Sequence, residues 1–141
     1  MKKEFKYFPD EGVSVCYIYN GDLVFKGEAC CCFEDRDFCS EITGCTIAGM
    51  RADIKYLKWV KENEIKSPLK AFKHLASCIT SSNKFNKNHY ESKMLYKTIK
   101  KYEDDLKNIN AEIKNIKEDL KFYIDEKDKL YQRLRNKVKA N

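Results

Sequence analysis

Glycine and proline are scarce in this chain, with five and two residues in 141. That excludes a collagen-like, low-complexity or turn-dense all-β architecture. Histidine is equally thin, with only His74 and His89. His74 follows Lys73 on a predicted helix and His89 lies in a Lys/Asn-rich loop, so both read as solvated surface groups. The sequence has no H-E-x-x-H, no P-loop and no Gly-rich nucleotide fingerprint. No apolar run approaches the ~18 residues a membrane span needs. The opening "MKKEFKYFPDEG" has lysines but neither an apolar core nor a small-residue cleavage site, so no signal peptide is expected. These absences point to a non-enzymatic protein without a cofactor, placed in a reducing cytoplasm rather than at a membrane.

What is present is charge and helix-forming composition. The chain is 43% hydrophobic and 35% charged, and its net charge of +6 arises from 28 bases interspersed with 22 acids. A dedicated duplex-DNA binder carries a denser field of one sign, so nucleic acid is not the expected partner. Arginine is sparse: Arg36, Arg51, Arg133 and Arg135 stand against an abundance of lysine.

Seven cysteines, an odd number, read in a reducing compartment as thiols rather than as a disulfide framework. Four of them crowd the stretch "CCCFEDRDFC", residues 30–39. Zinc sites usually pair ligands as C-x₂₋₄-C. Here Cys30, Cys31, Cys32, Cys39 and Cys45 show no C-x₂-C and no neighbouring histidine. Consecutive side chains on a strand also point to opposite faces. No metal site is expected, and the thiols read as small, mostly structural side chains.

The patterning predicts an α+β fold. Residues 13–32 carry two β-branched and aromatic runs around Asn20-Gly21, the signature of an antiparallel hairpin with a tight turn. After the polar break "FEDRDF", with Asp37 or Ser40 as candidate N-cap, apolar residues at helical spacing predict a first medium helix over about 38–62. Its small residues Gly44, Cys45, Ala48 and Gly49 invite close approach of another backbone. Ser67-Pro68 reads as the cap and first residue of a second medium helix, about 68–80. The head is thus expected over 1–82. A loop and one long oligomerising helix fill 83–141.

That long helix is the strongest pattern in the chain. From Tyr90 to Lys139 there is no Gly or Pro. Leu95, Ile99, Tyr102, Leu106, Ile109, Ile113, Ile116, Leu120, Tyr123, Lys127, Leu130 and Leu134 alternate steps of four and three, a coiled-coil seam. A lone helix would leave this stripe in water, so the pattern predicts a homo-oligomer.

Two features carry binding chemistry. In "YQRLRNKVK", Arg133 and Arg135 follow an acidic stretch, at positions expected to be exposed. They either compensate the helix macrodipole or grip phosphate through forked hydrogen bonds. In "NKFNKNHY", Phe85 is either a hydrophobic staple for the long helix or a ring stacking on a base, with Asn86 and Asn88 reading its edge. Arg51 is the further guanidinium assigned to a ligand site.

The run "KGEACCCFEDRDFCSEITGCTIAGMRADIKYLKW" resembles a recurrent pattern in small phage and prophage proteins. A strand ends in G-x-A-x-C (Gly27, Ala29, Cys31). An acidic loop follows with Asp35, Asp37 and Phe38. A helix then carries Gly44, Ile47, Ala48, Arg51 and Ala52. With "FNKNHYESKML" and the long helix, the chain is similar to the phage Thoeris anti-defence family of signalling-nucleotide sponges. The resemblance implies a viral, non-enzymatic protein acting in the host bacterial cytoplasm. It implies a dimer that can assemble into a hexamer, and capture of a cyclic ADP-ribose isomer or another cyclic nucleotide signal without cleavage. Two other classes stay open on the residues alone: a coiled-coil protein that inhibits a host protein directly, and a nucleic-acid binder using its lysine-rich surface.

Overall fold

The computed structural model describes residues 1–32, 35–81 and 90–140. The order is three strands, β1 (Lys2–Phe8), β2 (Val13–Asn20) and β3 (Leu23–Cys30), then helix α1 (Glu41–Val60), a π-helical stretch (Lys61–Lys66), α2 (Ser67–Ser81) and the long α3 (Tyr90–Ala140). The α+β class and the long C-terminal helix are as the sequence predicts. The chain forms two compact units, Met1–Tyr56 with Lys114–Asn141, and Leu57–Ile113. The long helix therefore contributes to both.

The strands form an antiparallel sheet in the order β1-β2-β3. The hairpin of residues 13–32 is joined by a strand the sequence reading did not assign. In β1, Lys3, Phe5 and Tyr7 pair with Ile18, Cys16 and Ser14, and "PDEG" turns the chain through bonds from Glu11 N to Phe8 O and from Gly12 N to Pro9 O. The β2–β3 turn is shifted by one residue from Asn20-Gly21. Asn20 pairs with Leu23, so Gly21-Asp22 are the loop residues, and Gly21 takes the positive φ of 61°.

In the first unit α1 covers one sheet face. Ser40 caps it, its hydroxyl accepting from Thr43 N at 3.1 Å. The expected close approach is made from both sides of the interface: a Cβ on Gly44 would collide with the Ser14 side chain, and a Cβ on Gly27 with the Ala48 carbonyl oxygen and the Ala52 amide nitrogen. Cys16, Ile18, Ala29, Ile47, Ala48 and Ala52 form the core, flanked by Phe25, Tyr56, Leu120, Tyr123 and Ile124. Ile18 is wholly buried, and full burial of such a side chain is worth about 1.5–3 kcal/mol.

The second unit corrects the expectation of two separate medium helices. No non-helical residue interrupts 41–81. Pro68 has no N–H to give Glu64, and in an α-helix its ring would crowd that carbonyl. The π-helical stretch just before it resolves the conflict, with Ser67 N–H bonding to Glu62 O five residues back. Ile65 is buried there against Ile109 and Ile113, with Leu57, Val60, Tyr102 and Leu106 around them.

Much of the long helix's apolar stripe is thus covered by its own chain, through Tyr102–Ile113 in one unit and Leu120–Ile124 in the other. The need for a partner to bury that stripe is met internally over those residues. The buried phase also drifts from the heptad. Tyr131 is 5% exposed, whereas Leu130 is 47% exposed. A straight helix turns every 3.6 residues and slips about 20° per heptad against a 3.5 repeat. Eighteen residues, five turns, carry Ile113 to Tyr131. Among the described residues no helix is long and apolar enough to cross a membrane.

Candidate functional site

The chemistry of the first unit gathers where the loop after β3 meets the last turns of α3. The loop is folded by its own backbone: Asp35 N bonds to Cys32 O, and Phe38 N and Cys39 N both bond to Asp35 O. Cys31 N donates to Gly12 O at 2.7 Å, and Arg36 reaches the Asp10 and Glu11 carbonyls. This fold corrects the expectation that all seven cysteines are thiols. Cys31 and Cys39 are joined in a disulfide, with Cα atoms 6.5 Å apart. Cys31 lies just past the end of β3, so strand alternation does not govern it, and the turn at Asp35 brings Cys39 back. Cys16, Cys30, Cys32, Cys45 and Cys78 are free. Among the described residues no three His, Cys, Asp or Glu side chains cluster as metal ligands.

Asp35 is 7% exposed. Its carboxylate accepts from the Arg135 guanidinium and from the Cys32 thiol at 2.9 Å. Burial opposes its ionisation most strongly. The bonds from Cys32 and Arg135, with the charges of Arg135 and Lys127, outweigh that and hold the carboxyl below its ordinary value. Beside this pair, Phe38 lies against Tyr131 with ring centroids 6.4 Å apart. The Lys127 ammonium sits 5.4 Å from the Tyr131 centroid, a cation–π distance.

Next to it, an open groove of about 330 Å³ is lined by Thr43 from the first turn of α1 and by Tyr123, Glu126, Lys127, Leu130, Tyr131 and Arg133 from α3. That volume is at the lower end of the roughly 300–1,000 Å³ range of small-molecule sites. A smaller cavity of about 30 Å³, lined in part by Tyr7, Ser14, Cys31, Cys39 and Lys127, has room for little more than water.

The residues assigned to a ligand from sequence are distributed as follows. Arg133 lines the groove and is exposed, its Nε making only a long 3.4 Å bond to Lys129 O. Arg135, expected to be exposed, is half-buried and paired with Asp35. Two residues along a helix is about 200°, so the two guanidiniums leave α3 in opposed directions and do not form one fork. Arg51 donates to the Glu28 carbonyl at 2.7 Å, bracing α1 on β3. Phe85, Asn86 and Asn88 lie outside the described residues. Tyr123, Lys127 and Tyr131 were not assigned to a site. Tyr123 and Lys127 already stand in the heptad seam, whereas Tyr131 falls outside it; with Arg135 the three recur every four residues along one side of α3.

The fold is α+β, and the candidate site lies on the end of a long helix. Compared with known proteins, the chain matches no family model, and no curated protein or solved structure matches it.

Proposed function

We propose that this protein is a phage or prophage anti-defence protein. In this reading it captures an anionic signalling nucleotide of the cyclic ADP-ribose type, holds it without cleavage, and so starves a Thoeris-type TIR-dependent response. The observation that carries the reading is the groove in which Lys127 and Arg133 stand beside the rings of Tyr123 and Tyr131. Two cations answer a pyrophosphate, and a tyrosine ring offers a stacking face to adenine. Thr43 adds a hydroxyl at a capped helix N-terminus, where partial positive charge favours anions. The one carboxylate of the lining, Glu126, is paired with Lys129 at 3.3 Å. The lining holds no histidine or cysteine, which suits retention rather than bond cleavage.

The proposal includes assembly of two or more copies, a dimer or hexamer. Phe122 and Val138, 68% and 62% exposed on α3, support it as apolar surface a second copy can cover. Calorimetry of the purified protein against cyclic ADP-ribose isomers and linear ADP-ribose tests the function, alongside analysis of any nucleotide released by heat. Retention of intact cyclic ligand is the expected result. No binding to any of them would move the assignment to a direct inhibitor of a host protein.

A further inference from the structure

We infer that Cys31 and Cys39 form a reversible thiol–disulfide exchange site whose state governs how firmly the last turns of the long helix are docked. The inference is independent of what the groove binds. The cysteines close a loop, with a sequence separation of 8, and that loop holds the residues contacting the end of α3. Asp35 receives Arg135, and Phe38 packs on Tyr131. Both cysteines are partly exposed, so a small reagent reaches them. Lys127 lines the same cavity as the pair, which joins the cysteines to the turns of α3 whose docking they would govern.

The co-reactant is a low-molecular-weight disulfide such as oxidised glutathione. One cysteine thiolate, having lost its proton to solvent, attacks a sulfur of that disulfide. A mixed disulfide forms and one glutathione thiolate leaves. The second cysteine thiolate then attacks the protein sulfur of the mixed disulfide, closing Cys31–Cys39 and releasing the second glutathione. Two protein thiols are oxidised by two electrons and one glutathione disulfide is reduced to two thiols.

The closed loop holds Asp35 and Phe38 where Arg135 and Tyr131 meet them; the opened loop lets them move. Because coupling between two equilibria is reciprocal, docking of α3 must in turn favour the disulfide. Lys127 and Tyr131 belong to both the docked turns and the groove, so the redox state of the loop acts on the groove's walls.

The wild-type chain, equilibrated in a series of reduced-to-oxidised glutathione buffers, alkylated and mapped by mass spectrometry, tests this directly. Cys31–Cys39 is expected to open and close reversibly as a two-electron couple. Hydrogen exchange over residues 128–139 should slow about tenfold on oxidation, with little change over 47–54. Arg135→Ala should make the disulfide about tenfold easier to reduce, a shift of about 30 mV. Should that variant not fold, the wild-type exchange comparison decides alone. Equal exchange over 128–139 in the two states, a pair that does not respond to glutathione, or oxidation diverted to Cys30 or Cys32 would each overturn the inference.

Discussion

Arg135 and Asp35, one hundred residues apart in the chain, form a partly buried ion pair that ties the end of the long helix to the loop after the third strand. The pair fixes the role of each partner. Asp35 is nearly enclosed, so its charge depends on Arg135, Cys32 and Lys127. Arg135 is thereby committed to structure, and under the proposed nucleotide-binding reading the phosphate contacts would fall to Arg133 and Lys127.

The first prediction follows from that commitment. Arg135→Ala leaves a buried carboxylate without its main partner, and hydrogen bonds to charged groups are worth about 1.5–3 kcal/mol. The denaturation midpoint should fall by that order, discounted toward the lower value because Arg135 keeps some solvent contact. Asp35→Asn, which removes the charge but keeps an acceptor, should cost less. Equal stability of Arg135→Ala and wild type in urea titrations would show the pair to be marginal.

The pH dependence has a definite sign. The folded pKa of Asp35 is lowered, so the folded state releases this proton more readily than the unfolded chain, whose aspartates titrate near 3.9. The stabilisation is fully present above that unfolded value and disappears as pH falls through the folded one. Wild-type stability should therefore drop more steeply below about pH 4 than that of Asp35→Asn. Parallel acid titrations of the two proteins measure the difference.

A third prediction concerns the sheet–helix contact. Gly27→Ala would place a methyl against the Ala48 carbonyl and the Ala52 amide, both backbone and unable to swing aside. Overpacking costs about 1–3 kcal/mol where side chains can adjust, and here the loss should reach at least the top of that range. Gly21→Ala removes a different asset, the positive φ, and should cost about 1–2 kcal/mol. Circular dichroism melts of both variants would rank them, and the reverse order would be inconsistent with this packing.

The prominent regularities were legible in the sequence. β-Branched and aromatic runs around Asn20-Gly21 gave the β2–β3 pair, Ser40 was one of two candidate caps, and the absence of Gly and Pro gave the long helix. β1 was also legible in principle, since Phe5 and Tyr7 alternate with Glu4 and Lys6 before "PDEG", but Lys2, Lys3 and Lys6 disguised an edge strand. The continuous 41–81 segment was hidden because Pro68 normally signals a start, and only a π-turn lets it sit inside. The site was obscured for a geometric reason. A heptad reading places Leu130 and Leu134 inward, whereas 3.6-residue winding brings in Tyr131 and Arg135. The Cys31–Cys39 pairing depends on a loop path that local pattern does not encode.

Ile113 shows why the seam cannot serve as a simple probe of assembly. It is 7% exposed and packed against Ile65 and Ile109 of its own chain. Ile113→Asp should unfold or strongly destabilise the second unit, since an unpaired buried charge costs several kcal/mol. Phe122→Asp is the informative variant, because Phe122 is exposed. If copies associate through that part of α3, Phe122→Asp should lower the sedimentation-equilibrium mass without lowering the thermal midpoint. An unchanged mass would remove Phe122 from any such contact.

The final prediction separates binding from folding at the groove. Arg133 is exposed and makes one weak bond to its own helix, so Arg133→Ala should leave the denaturation midpoint within about 0.5 kcal/mol of wild type. If the groove holds a pyrophosphate, that substitution should still weaken binding of a cyclic ADP-ribose isomer by about 1.5–3 kcal/mol, one charge-assisted contact. Tyr123→Ala should weaken it by about 1–3 kcal/mol if the ring stacks on adenine. Tyr123 also flanks the core of the first unit, so its denaturation midpoint must be measured beside its affinity, and Arg133→Ala carries the separation. Tyr131 is unsuitable for the same test because it is buried against Phe38. A double Arg133/Arg135 variant is equally unsuitable, since loss of the Asp35 pair would lower binding through the fold. Calorimetry on wild type, Arg133→Ala and Tyr123→Ala decides the matter. Unchanged affinity in both variants, with binding intact in wild type, would place the ligand elsewhere than on this groove.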